Sequence, residues 1–330
     1  VANPKLPGGA TSVNNVGRNA YSMPSANLSP MRKIDFSMGN SFFKNPWVAA
    51  PASTTARDGL GPLFNTNSCQ SCHIKDGRGH APIGKNDSAV SMLVRLSIPA
   101  TAAQAQQVIY HGVKPEPIYG GQLQDMALPG IDPEGNIEVS YTNVTVELNG
   151  GEKVLLRQPN LAITNLAYGD MQDDVMLSAR VAPPMIGLGL LEAIDSTLLL
   201  ANVDPDDKNS DGISGRANFV WDKKQQQSVL GRFGWKAGMP TLDQQNAGAF
   251  AGDMGLTSHF NLGDDCMEAQ IACFNLTDGG NLAGHEVDEK ILSMVLFYTR
   301  NLAVPIRRKY DDPAVAQGEN IFHQSGCAGC

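Results

Sequence analysis

Cys69-Gln70-Ser71-Cys72-His73 is the stretch that decides the reading, and Cys327-Ala328-Gly329-Cys330 echoes it at the far end of the chain. A C-x-x-C-H run is the attachment signature of c-type haem. Its two thiols add across the porphyrin vinyl groups, and the adjacent His is placed to bind iron from the proximal side. Two alternatives share the spacing. Zinc would need four ligands, usually two Cys pairs or a Cys pair and a His pair; His80 could supply one nitrogen, but no second Cys pair lies at zinc-module distance. A thioredoxin-like redox pair would want a βαβ context, which is missing.

The echo strengthens the haem reading. Phe64 stands five positions before Cys69 and Phe322 five before Cys327, with Leu63 and Ile321 ahead of them and Gly61 and Gly318 upstream. The pattern predicts a short helix, aromatic on one face, entering a Cys pair twice: an internal repeat of a haem-binding unit. A His after Cys330, in a longer two-haem protein, is the expectation; a terminal Cys pair forming a disulfide is the alternative.

A chain of 330 residues is long enough for two domains or one large one. Its 34 Gly and 20 Pro predict many turns and long ordered loops. The net charge of −8, with no basic patch, argues against nucleic acid. No apolar run is long enough for a transmembrane segment. Val1-Ala2-Asn3-Pro4 reads as a trimmed terminus whose lost part was an export signal or lipid anchor. Cys266 and Cys273, with no His beside them, read as a local disulfide. That disulfide and covalent haem both point to the periplasm.

Along the chain, residues 1 to about 30 read as an extended surface arm, and Ile34 to Ala50 as a buried entry segment. Arg78, just after the first motif, is a candidate haem-propionate partner or a loop Arg in solvent. Val90 to Ile98 reads as a strand, and Ile137 to Leu148 with Lys153 to Leu156 as a hairpin through Asn149-Gly150. Ile186, Leu190, Leu191, Ile194 and Leu198 recur at helical spacing. Glu192 lies among them: in apolar surroundings it could work as an acid or base, and on the helix surface it would not. Asp207, Asn209, Asp211 and Gly212 give the D-x-N-x-D-G core of a calcium loop, but Asn218 replaces the bidentate Glu. An acidic turn held by Asx hydrogen bonds is the other reading. Trp235 reads as a core Trp or a residue between redox centres. Gln244 to Leu256 and Val287 to Leu302 read as helices.

Taken together, Gly59 to Asn65 with the first motif, Arg180 to Ile194, Asp211 to Asn218, Gly231 to Ala237 and Phe322 to Cys330 resemble a known family. It is the di-haem oxidoreductases related to bacterial di-haem cytochrome c peroxidases, sometimes called thiol oxidoreductases. The resemblance runs from about residue 34 to the end. It implies a mainly α fold of two cytochrome c-like haem domains, with long loops and a small β insertion between the haem units. The corresponding division is an extended arm over 1–33, a first haem domain over 34–305 and the start of a second over 306–330. It further implies two covalently bound haem c groups, Cys69, Cys72 and His73 holding one and Cys327 and Cys330 the other, with calcium between the domains. One haem would be open to hydrogen peroxide or a thiol substrate while the other relays electrons from a periplasmic electron-transfer protein. Glu192 and Arg180 are the candidate catalytic residues. Met92, Met126, His111, Met239, Met254, His259 and His285 are all candidate distal ligands. A plain di-haem electron carrier and a redox sensor are the competing functions; the inserted hairpin and long loops argue against the carrier.

Overall fold

The computed structural model describes residues 3–84, 87, 90–263, 265–275 and 284–329. Its helices are α1 (Pro30–Lys44), α2 (Cys69–Cys72), α3 (Ala105–His111), α4 (Leu188–Glu192), α5 (Ser196–Leu200), α6 (Leu242–Met254), α7 (Glu289–Arg300) and α8 (Pro313–Gln324). Its strands are β1 (Leu63–Phe64), β2 (Met92–Ser97), β3 (Met126–Ala127), β4 (Asn136–Glu147), β5 (Lys153–Thr164), β6 (Met176–Val181), β7 (Phe219–Asp222) and β8 (Gln227–Leu230). They pair antiparallel as β1–β3, β2–β6, β4–β5 and β7–β8. The chain is 30% helix and 21% strand, so the expectation of a mainly α fold is overturned.

The reasons are local. The apolar run from Ile186 to Leu198 is not one helix, because the Asp195 carboxylate accepts the Thr197 N–H and caps a fresh start at α5. Phe64 lies on a strand rather than a helix. Gly61 precedes a proline, which disfavours helical backbone, and packs so closely on the chain that a Cβ there would lie 2.4 Å from Gly255 O. The extended segment is then held by Leu128 N–H on Pro62 O and Asn65 N–H on Asp253 O. The hairpin expected through Leu156 runs on to Thr164, with Pro159 opposite Tyr141. Both its strands are edges, where proline is tolerated.

The main core lies where α1 crosses α7. Ser29 caps α1 and Asp288 caps α7 through their side chains. Phe36 and Phe43 pack on Tyr298 with ring centroids 4.6 and 5.2 Å away. Gly39 permits the close crossing, since a Cβ there would stand 2.2 Å from Met294 O. Phe250 and Met254 of α6, with Trp47 and Leu60, complete this cluster. A smaller core of Val94, Leu96, Tyr119 and Leu123 lies under β2. The N-terminal segment runs along residues 301–307, with Ser25 N–H on Asn301 O, Ala303 N–H on Met23 O and Arg307 N–H on Lys5 O. Trp235 is neither in the core nor enclosed: it is 52% exposed.

Candidate functional site

Helix α2 is one turn long, started by Ser68, whose hydroxyl accepts the Ser71 N–H. That turn sets Cys69, Cys72 and His73 along one short stretch, with Cys69 against the main core. Both thiols are free and half-buried. Cys72 Sγ donates to Val90 O at 3.1 Å. Burial, reinforced by the Asp253 carboxylate, pushes Cys72 up to about 12 and raises Cys69 as well. Neutral thiols are poor zinc ligands and poor nucleophiles, because both roles need the thiolate. A neutral thioether suffers no such burial penalty, so the pocket suits sulfur that ends up carbon-bound.

His73 is fixed through one ring nitrogen. Nδ1 lies 2.7 Å from Pro183 O; a carbonyl can only accept, so Nδ1 carries the proton and Nε2 keeps its lone pair. Burial lowers the imidazole pKa, favouring the neutral form that ligates metal. A ring N–H held by a backbone carbonyl is the usual way a metal-binding His is oriented. The donor set thus fits haem: two thiols on one side and an oriented imidazole beside them.

The loop after His73 is strained and tightly held. Lys75 and Asp76 both have left-handed backbone, φ 54° and 59°, at about 1–2 kcal/mol each. Asp76 N–H bonds His73 O, and Asp76 O takes the Met185 N–H. The Asp76 carboxylate is 1% exposed and accepts the Tyr298 hydroxyl at 2.6 Å. Burial raises its pKa, while Ser22 and Tyr298 act in the opposite sense. The α7 helix therefore pins the segment carrying the imidazole. Asp76 stands three residues after His73 but the sequence reading did not single it out, and nothing in the sequence marks Tyr298, Asp253 or the Pro183 carbonyl.

Several of the other expected site residues are bound to other work. Glu192 bonds Arg300 through both oxygens, Nε to Oε2 at 2.5 Å and Nη2 to Oε1 at 3.0 Å, tying α4 to α7. Its surroundings are thus not the unpaired apolar ones that acid–base work would draw on. Arg78 is exposed, with no hydrogen bond or ion pair among the described residues. Arg180 is half-buried on β6. Cys266 and Cys273 are joined by a disulfide. Of the Met and His residues considered as distal ligands, Met92 and Met254 are buried, the latter in the main core. His285 Nδ1 is buried with no hydrogen-bond partner.

The second Cys pair is built differently. Helix α8 buries none of its residues, and Cys327 is free and exposed; Cys330 lies outside the described residues. A Cβ at Gly329 would meet Ile213 Cδ1 at 3.1 Å, so this end rests on the acidic loop. In that loop Asp207 accepts the Asp211 and Gly212 N–H groups, Asn209 Oδ1 accepts the Asp211 N–H, and Asp211 accepts the Ile213 N–H. These bonds order it as an Asx-bonded turn. Among the described residues no group of three or more His, Cys, Asp or Glu is placed to hold a metal ion.

Two thiols and an oriented neutral imidazole, braced from the core, form a donor set that fits haem. The family model described as "Di-haem oxidoreductase, putative peroxidase" matches residues 2–330. The chain belongs to that di-haem oxidoreductase family, as its sequence resemblance implied. No curated protein and no solved structure matches it.

Proposed function

We propose that the protein is a periplasmic, peroxidase-type di-haem c oxidoreductase. The observation that carries this reading is the Pro183-held His73 next to two neutral thiols. The two thiols would hold the haem as thioethers at its vinyl groups, each thiol hydrogen going to the neighbouring vinyl carbon. Cys69 and Cys72 would carry one haem in this way, with His73 Nε2 toward its iron; Cys327 and Cys330 would carry the second. Haem, when bound, supplies cleavage of the peroxide O–O bond and one-electron transfer. The chain's part is to orient and to shield. Pro183 O fixes the imidazole tautomer, Asp76 and Tyr298 hold its loop, and the α1–α7 core keeps water from the inner side. Glu192 serves as a brace between α4 and α7. The Cys266–Cys273 disulfide supports an oxidising compartment, and among the described residues no helix is long and apolar enough to cross a membrane. Hydrogen peroxide is the substrate, with electrons drawn from a periplasmic electron-transfer protein.

The test is EPR of the purified holoprotein, fully oxidised and half-reduced, before and after hydrogen peroxide. A high-spin ferric signal that peroxide consumes, in either state, is the expected result. Two low-spin haems indifferent to peroxide in both states would leave an electron carrier instead.

A further inference from the structure

Arg95 and Arg180 lie close together on one face of the β2–β6 ribbon. Leu93 pairs with Arg180 and Arg95 with Ser178, so the two arginines are diagonal neighbours. The Arg180 pKa falls through burial and then through the nearby Arg95 charge. Among the described residues neither makes an ion pair, and Arg180 Nε reaches Ser178 Oγ at 3.4 Å. Two half-buried guanidinium groups side by side, with no carboxylate in ion-pair contact among the described residues and Asp265 acting on Arg95 only at longer range, suit a bound anion.

Their position says which one. The ribbon that carries them also carries both contacts of the Cys-x-x-Cys-His segment. Val90 O, just before β2, takes the Cys72 thiol, and Pro183 O, just after β6, takes the His73 ring. Arg180 stands three residues from Pro183, about 10 Å along an extended chain, a reach comparable with the span from a porphyrin's iron to its carboxylate edge. Arg95 is oriented toward the end of α6: its Nη2 would lie 3.9 Å from a Cβ at Gly252. Asp253, the next residue, is the carboxylate that raises both motif thiols. The arginine face and the motif therefore border the same space.

We propose that Arg95 and Arg180 form a two-guanidinium clamp for the propionate carboxylates of the haem attached at Cys69 and Cys72. The inference rests on the haem reading above. The fork geometry of Arg suits carboxylates, two parallel N–H···O bonds per side chain. Asp265 also lies within reach of Arg95, its carboxyl raised by burial against the pull of Arg95 and of His111. Asp253, beyond Gly252, is engaged by Gln122 Nε2 at 3.0 Å.

The test is a spectroscopic redox titration of the full di-haem protein, wild type against R95Q, R180Q and R95Q/R180Q, between pH 5 and pH 9. Removing positive charge near one iron favours its ferric form. One of the two reductive waves is expected to fall by at least the equivalent of a tenfold change in its oxidised-to-reduced ratio, ~59 mV for one electron. The other wave should stay in place. The pH step of the shifted wave should move upward, because propionates that lose their arginines hold protons more tightly. If the double variant does not fold, each single variant should show the same wave moving by a smaller amount. Unchanged waves in variants whose Cys69–His73 peptide carries haem would overturn the clamp, as would equal movement of both waves. Absence of haem from that peptide in the wild type would instead overturn the haem reading.

Discussion

At the scale of single residues, the centre depends on groups that hold His73 rather than on His73 alone. Pro183 offers a carbonyl, which sequence cannot advertise. Tyr298 acts from the opposite end of the chain through its hydroxyl on Asp76. Tyr298→Phe should lower stability by about 1–3 kcal/mol at pH 7, since it leaves a buried carboxylate short of one donor. The Asp76 pKa is raised in the folded state, so its unfavourable charging grows as pH rises. The loss in the variant should therefore be larger at pH 7 than at pH 4. Urea denaturation at the two pH values checks this; an equal loss at both would place the effect in packing instead.

At the scale of elements, a buried acid ties the disulfide loop to the rest. Glu134 is 1% exposed and accepts the Gln124 N–H and the Gln270 amide, Gln270 lying between Cys266 and Cys273. Burial pushes Glu134 up to about 8 from 4.5. The folded state then binds the extra proton, so this stabilising contribution is full below about pH 4.5 and is lost as pH rises through about 8. The urea midpoint of the wild type should fall across that window relative to that of E134Q, by a few kcal/mol in stability at most. Parallel profiles for the two proteins would contradict the assignment. The hairpin, α6 and α7 were legible from periodicity and turn chemistry. The split at Asp195 and the extended backbone at Phe64 were not, because a side-chain cap and a Gly61–Gly255 approach overrode the apolar spacing.

At the scale of the whole molecule, family membership was legible from phrases scattered over most of the chain, and the Cys-x-x-Cys-His segment located the centre. The full mixed architecture was not: β2 and the β4–β5 hairpin were read as strands, but β1–β3, β6 and β7–β8 were not. Nor could the Arg95–Arg180 pairing be read, since it arises from strand register between distant segments. The most direct test of the account is mass spectrometry of proteolytic peptides from the protein, purified without reductant. The peptide spanning Cys69 to His73 should carry the mass of one haem through bonds that survive denaturation. The same peptide with two free thiols, or with a Cys69–Cys72 disulfide, would contradict the account at its centre.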